Sequence, residues 1–254
     1  MDYLNIIGQD EKWQGFSWRT KMYISHLLLI NNLENTLVLL TDSDDVLFHA
    51  SREEIVNCFL EMNIPRHQVL VSTEDVQMVG KIGHHRNKSF LDEILSLRFL
   101  HGKNQKNGYI YLNAGLLMGY GDTVLSLLQL NKDQIDDQEG LQMLQLAFPD
   151  KFYLDTSQQL FGTIGFKFLS VGSCIWNAEN LLFFGDPHSW QFNQDEKRLQ
   201  FLTSQHKPLI LHFPHKIKIF YNHYLDLMYG KKENRSIGIK ALLQMADFYI
   251  WTSV

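Results

Sequence analysis

Three carboxylates fall within four positions of this sequence, Asp42, Asp44 and Asp45, between the apolar runs Leu37–Leu40 and Val46–Phe48. Like charges gathered at the mouth of a core repel one another unless something positive lies between them. A divalent cation with hard oxygen ligands is the natural occupant, and it commonly brings a phosphate. A solvated turn would use the same residues, because Asp favours turns and helix starts. His212 closes a second apolar run, Leu209-Ile210-Leu211, and Lys216 and Lys218 follow it. Asn113 ends a third, Tyr109–Leu112. Asp42 with Asp45, Asn113, and His212 with Lys218 therefore lie at the ends of predicted strands, where ligands bind in open α/β sheets. Together they make a metal–diphosphate site, with carboxylates and an imidazole on the cation and an ammonium near phosphate. The imidazole turns the choice from Mg²⁺ towards Mn²⁺. Asp136 and Asp137 open a helical stretch, where two acids also suit the helix dipole without any chemistry. The pair His84-His85, in a Gly-containing stretch, reads as surface.

The elements that must carry these groups follow from periodicity. Leu4–Gly8 is a short strand, and Trp18, Met22, Tyr23, Leu27, Leu29 and Ile30 mark a helix with a broad apolar face. The continuous run Leu37–Leu40 predicts a strand buried on both faces. Ser51-Arg52-Glu53-Glu54 is a capping box before a helix that buries Ile55, Phe59 and Met62. Val69–Val71 is the next strand. This order, β-α-β-α-β, predicts a parallel sheet with helices on its faces. Further helices are expected at 89–100, at 123–130, and after Asp133, with Leu141, Leu144 and Phe148 facing inward. No repeat or linker divides the chain, so one domain is expected.

Composition narrows the function classes. The chain has 254 residues, 45% hydrophobic and 20% charged, with a net charge of −5 and no basic block, which argues against nucleic acid. No apolar segment is long enough to span a bilayer. The start carries no basic region followed by an apolar run, so a cytoplasmic location is the expectation. Cys58 and Cys174 suggest neither a disulfide framework nor a zinc site.

Four motifs, in order, resemble the glycosyltransferase domain of procollagen lysyl hydroxylases. Thr41-Asp42-Ser43-Asp44-Asp45-Val46 is similar to its Asp-Ser-Tyr-Asp-Val metal motif, and Tyr111-Leu112-Asn113-Ala114-Gly115 to its Leu-Asn-Ser-Gly segment. Asp136-Asp137-Gln138 matches the end of its acidic run, and His212 with Lys218 keeps the spacing of its His-to-Lys segment. The resemblance implies an α/β fold over 1–254. It would be a single GT-A (Rossmann-like) glycosyltransferase domain with a mostly parallel central sheet flanked by helices. Residues 80–108 would be an acceptor-side insertion; beyond the resemblance, helical spacing predicts over 236–254 a C-terminal helix that packs on the domain or mediates a homodimer. The resemblance implies Mn²⁺ on Asp42, Asp45 and His212, with a UDP-sugar contacted by Asp44, Asn113 and Lys218. Asp136 and Asp137 would act near the sugar and acceptor. The implied reaction moves a hexose, glucose before galactose, to hydroxylysine or galactosyl-hydroxylysine in a collagen-like chain. Asp44 stands where the family keeps an aromatic residue against uracil, and Phe213, Pro214 and His215 replace family glycines and asparagine.

Two other readings use the same residues. A Mg²⁺-dependent phosphohydrolase would use Asp42 as nucleophile, although Val46-Leu47-Phe48 follows where that class expects Gly-Thr. A transferase fold kept only for binding or dimerisation is the non-enzymatic alternative, motivated by the altered loop after His212.

Overall fold

The computed structural model describes residues 7, 11–43, 45–75, 109–164, 190–193, 195–214, 221 and 224–225. The expected helices at 89–100 and 236–254, the pair His84-His85 and nearly all of the strand Leu4–Gly8 lie outside them.

Helix α1 (Phe16–Leu27) begins after Gly15, whose φ of 100° is open to glycine. Strand β1 (Leu37–Thr41) leads through the acidic stretch into β2 (Val46–Phe48). Helix α2 (Arg52–Glu61) carries the predicted capping box: the Ser51 hydroxyl accepts from the Glu54 N–H, and the Glu54 carboxylate accepts from the Ser51 N–H. Then come β3 (Val69–Glu74), β4 (Tyr111–Tyr120), α3 (Gly121–Asn131), α4 (Asp137–Ala147), β5 (Phe152–Leu154) and β6 (Phe161–Thr163). A hairpin of β7 (Trp190–Asn193) and β8 (Arg198–Phe201) precedes β9 (Ile210–His212).

Two sheets divide these strands. The first has the order β1-β4-β3-β5, and the second the order β2-β9-β6. In the first sheet β3 and β5 pair parallel, while β4 pairs antiparallel with both β1 and β3. Three strands therefore run the same way, and the reversed β4 sits between two of them. In the second sheet β9 is antiparallel to β2 and parallel to β6.

Alternation along the strands sends side chains into two cores. Val38 and Leu40, Val69 and Val71, and Leu112 and Leu117 pack against Leu27 of α1, Val124, Leu127 and Leu128 of α3, and Leu141 of α4. On the opposite face Leu70, Leu116 and Met118 meet Ile55 and Phe59 of α2, with Val46, Phe161 and Ile210 of the second sheet. The result is three layers: helices, first sheet, then α2 with the second sheet.

Some local expectations differ. β1 buries Val38 and Leu40, whereas Leu37 and Leu39 are only partly covered, because β1 is an edge strand among the described residues. Leu29 and Ile30 lie beyond the end of α1 and are exposed, and Phe148 is exposed at the end of α4. α4 starts at Asp137 with Asp136 as its N-cap, later than the acidic run suggests. No described helix is long and apolar enough to cross a membrane.

Candidate active site

The acidic stretch is the crossover between the two sheets. Asp42 directly follows β1, and Asp45 directly precedes β2. Backbone bonds fix both ends: the Asp42 N–H donates to the Gly115 carbonyl at 2.9 Å, and the Asp45 carbonyl accepts from the Phe213 N–H at 2.8 Å. His212 is the last residue of β9, paired with Val46 on one side and Thr163 on the other. This register delivers its ring between the two carboxylates. Nε2 lies 3.5 Å from Oδ2 of Asp42 and 3.6 Å from Oδ1 of Asp45. One ligand atom from each of the three residues falls within 4.8 Å of the others.

The donor set fits a divalent cation. His212 is 2% exposed, and neither ring nitrogen meets a hydrogen-bond partner in acceptable geometry. A buried imidazole that makes no hydrogen bond is costly, and an ion between it and two carboxylates would remove that cost. Two ligands each about 2.1 Å from one ion can be separated by at most about 4.2 Å, and both His212–carboxylate distances lie inside that limit.

Gly115 is a condition of this geometry. A Cβ built there would lie 2.2 Å from Cε1 and 2.8 Å from Nδ1 of His212. The glycine is required by the ring against it.

Arg19, on α1, joins the cluster to the second pair of acids. Its guanidinium bonds Oδ1 of Asp42 with Nη1 and Oδ2 of Asp137 with Nη2, and Nε lies 3.1 Å from the same Asp137 oxygen. Burial opposes its charge, but Asp137 and Asp42 outweigh burial and hold it firmly protonated. For Asp42, burial raises the carboxyl, while His212 and Arg19 bring it below the usual range. For Asp137 burial prevails over Arg19, and its carboxyl is raised. Tyr23, whose hydroxyl donates to the Thr41 carbonyl, is pushed up to about 12 by burial, with Asp42 and Asp137 adding to the rise and Arg19 opposing it.

The other expected site residues are placed as follows. Asp137 reaches the cluster through Arg19, whereas Asp136 caps α4, its Oδ1 accepting from the Glu139 N–H at 3.0 Å. Asn113 is 2% exposed, and its amide is engaged at both ends inside the protein, with Gly115 and Glu74. Asp44 and Lys218 lie outside the described residues. Sequence reasoning missed Arg19, which looks like one solvated cation on a helix, and Glu74, which follows a polar pair beyond the predicted strand Val69–Val71.

A carboxylate–imidazole cluster at strand ends, beside a second pair of acids on an α/β scaffold, has the ligands to hold a divalent cation. The profile of the PLOD GT domain matches residues 3–234. The chain belongs to that family, the glycosyltransferase domain of procollagen lysyl hydroxylases, and is a glycosyltransferase. The phosphohydrolase reading is thereby set aside. Among solved structures, the chain is similar to mouse xyloside xylosyltransferase 1 in its apo form, at 12% identity and a TM-score of 0.39, covering 76% of this chain and 63% of that one. It is also similar to the apo structure of the bifunctional glycosyltransferase WbbM, at 14% identity and a TM-score of 0.42, covering 92% of this chain and 38% of that one. It thus spans under two thirds of either protein. No curated protein matches the sequence.

Proposed function

We propose that this domain is a Mn²⁺-dependent hexosyltransferase that uses a UDP-sugar, UDP-glucose before UDP-galactose. The acceptor in this reading is hydroxylysine or galactosyl-hydroxylysine in a collagen-like chain. The observation that carries it is the convergence of Asp42, Asp45 and His212, with both imidazole nitrogens buried and making no hydrogen bond. Mn²⁺ held by these three would supply Lewis-acid stabilisation of the diphosphate leaving group.

The chain's own residues do the rest. In the transfer, the bond from the anomeric carbon to the diphosphate oxygen breaks and its electron pair leaves with UDP. The acceptor oxygen forms the new bond to that carbon and gives up its proton. Asp137, tied to Asp42 through Arg19, would orient the acceptor hydroxyl or take that proton. Asp136 holds the start of α4, and with it Asp137, in register. In this reading Lys218 adds an ammonium near the diphosphate, and Asp44 meets the base. Asn113 takes part from behind, through the backbone it braces.

The test is UDP release from a panel of UDP-sugars with Mn²⁺, with and without a hydroxylysine-containing collagen peptide. Release is expected from UDP-glucose and is lost in Asp45→Ala. Absence of turnover with every donor, together with absence of Mn²⁺-dependent UDP binding, overturns the reading and favours a binding module.

A further inference from the structure

β4 departs from its ladder at the site. Between the pairs Val71↔Leu117 and Thr73↔Leu112, Ser72 alone on β3 faces Asn113, Ala114, Gly115 and Leu116 on β4. Backbone groups thrown out of a ladder need other partners when they are buried. Here side chains provide them. The Gly115 N–H donates to Oδ1 of Asn113 at 2.9 Å, and the Ala114 N–H donates to Oε1 of Gln138 at 3.2 Å. Since a backbone N–H can only donate, these two bonds fix which way each amide points. Both NH₂ groups then face one carboxyl group. Nδ2 of Asn113 is 3.1 Å from Oε2 of Glu74, and Nε2 of Gln138 is 2.7 Å from its Oε1.

We propose that Glu74 is a positioning residue for the cation site: its carboxyl orients Asn113 and Gln138, these hold the Ala114–Gly115 backbone, and that backbone seats Asp42 and His212. The last link is direct, since the Gly115 carbonyl accepts the Asp42 N–H and a Cβ at Gly115 would collide with the His212 ring. Glu74 is fully buried. Burial raises its carboxyl to about 8, against the pull of the two amide donors and with Asp75 and Asp136 adding to the rise. A carboxyl group, charged or protonated, keeps an acceptor on each oxygen, whereas a carboxamide keeps only one. Glu74→Gln therefore sets NH₂ against NH₂ and forces one amide to release its backbone N–H. The inference rests on reading Asp42, Asp45 and His212 as the cation ligands.

The same logic defines a rescue, the swap of Glu74→Gln with Gln138→Glu. The carboxyl now on α4 accepts both the Ala114 N–H and the NH₂ of the carboxamide introduced on β3. The carbonyl of that carboxamide accepts from Asn113. The experiment compares the full chain with each single variant and the swap. It reads amide hydrogen exchange at Ala114 and Gly115 without metal, and Mn²⁺ affinity by calorimetry. Each single variant is expected to speed exchange at one of the two amides at least and to weaken Mn²⁺ binding about tenfold or more, and the swap to recover most of both. A residue that only stabilises the fold would show no recovery in the swap. Wild-type exchange and affinity in Glu74→Gln, or a swap no better than the singles, overturns the inference. Should Glu74→Gln fail to fold, Gln138→Met, which removes one bridge, is read in the same way at Ala114. If the wild-type chain takes up no Mn²⁺, the proposed function falls, while the exchange pattern still decides the network.

Discussion

Gly115→Ala is the sharpest perturbation this geometry offers. The added Cβ would lie 2.2 Å from Cε1 of His212, whereas ordinary contacts begin near 3.4 Å, so something must move by about 1.2 Å. The ring cannot retreat freely, because His212 is 2% exposed and paired on both sides, with Val46 and Thr163. A nitrogen ligand sits about 2.0–2.2 Å from its ion, and a shift of that size takes it out of range. Overpacking of this kind costs about 1–3 kcal/mol, which for a chain of this size lowers Tm by a few degrees to about 10 °C. Loss of one of three protein ligands should weaken Mn²⁺ binding by at least about tenfold. Calorimetric Mn²⁺ titration and thermal melts without metal give the two numbers. The decisive comparison is Gly115→Ala in a His212→Ala background: with the ring gone the clash is gone, so the stability penalty should nearly vanish and reveal a coupling of about 1–3 kcal/mol. If Gly115→Ala melts and binds Mn²⁺ like the wild type, or its penalty is unchanged without His212, the account of the site is wrong.

Other perturbations act at a distance from that contact. The folded protein raises the Glu74 carboxyl to about 8, so its contribution to stability is fully present below the ordinary glutamate range and is lost as pH rises towards 8; denaturant melts between pH 5 and 8 should show this decline, and Glu74→Gln should flatten it. Arg19→Met leaves Asp42 and Asp137 without their shared cation, a loss on the order of 3 kcal/mol, and Mn²⁺ should restore more stability to this variant than to the wild type in paired thermal melts. Ser51→Ala removes the capping box of α2, away from the site; it should cost about 1 kcal/mol by denaturant melt and leave UDP release unchanged.

Asp42, Asp45 and His212 were legible because each stands at the end of an apolar run, and strand ends are where an α/β sheet presents ligands. The capping box of α2 was equally plain, since its signal lies within four consecutive residues. The direction of β4 was not legible, because hydrophobic alternation is the same for either direction. Nor was the bulge at Asn113–Leu116, which exists only relative to β3. Glu74 follows the polar pair Ser72-Thr73 beyond the predicted strand Val69–Val71, yet β4 and β5 flank the longer β3 and bury it throughout. Arg19 was hidden for a similar reason: its partners are 23 and 118 residues away.

The crossover at Asp42–Asp45 has a mechanical side. Asp42 leaves one sheet, while Asp45 and His212 belong to the other, and among the described residues short backbone links, side-chain packing and the Gln158 side chain, which bonds Thr73 and the Thr163 N–H, join the two near there. An ion gripped by all three residues would act as a cross-link between halves of the domain, its grip deepening with the logarithm of free ion concentration. Occupancy would then set how far the sheets can part, and a chelator would loosen the domain along one line, between β1 and β2, while leaving each sheet whole.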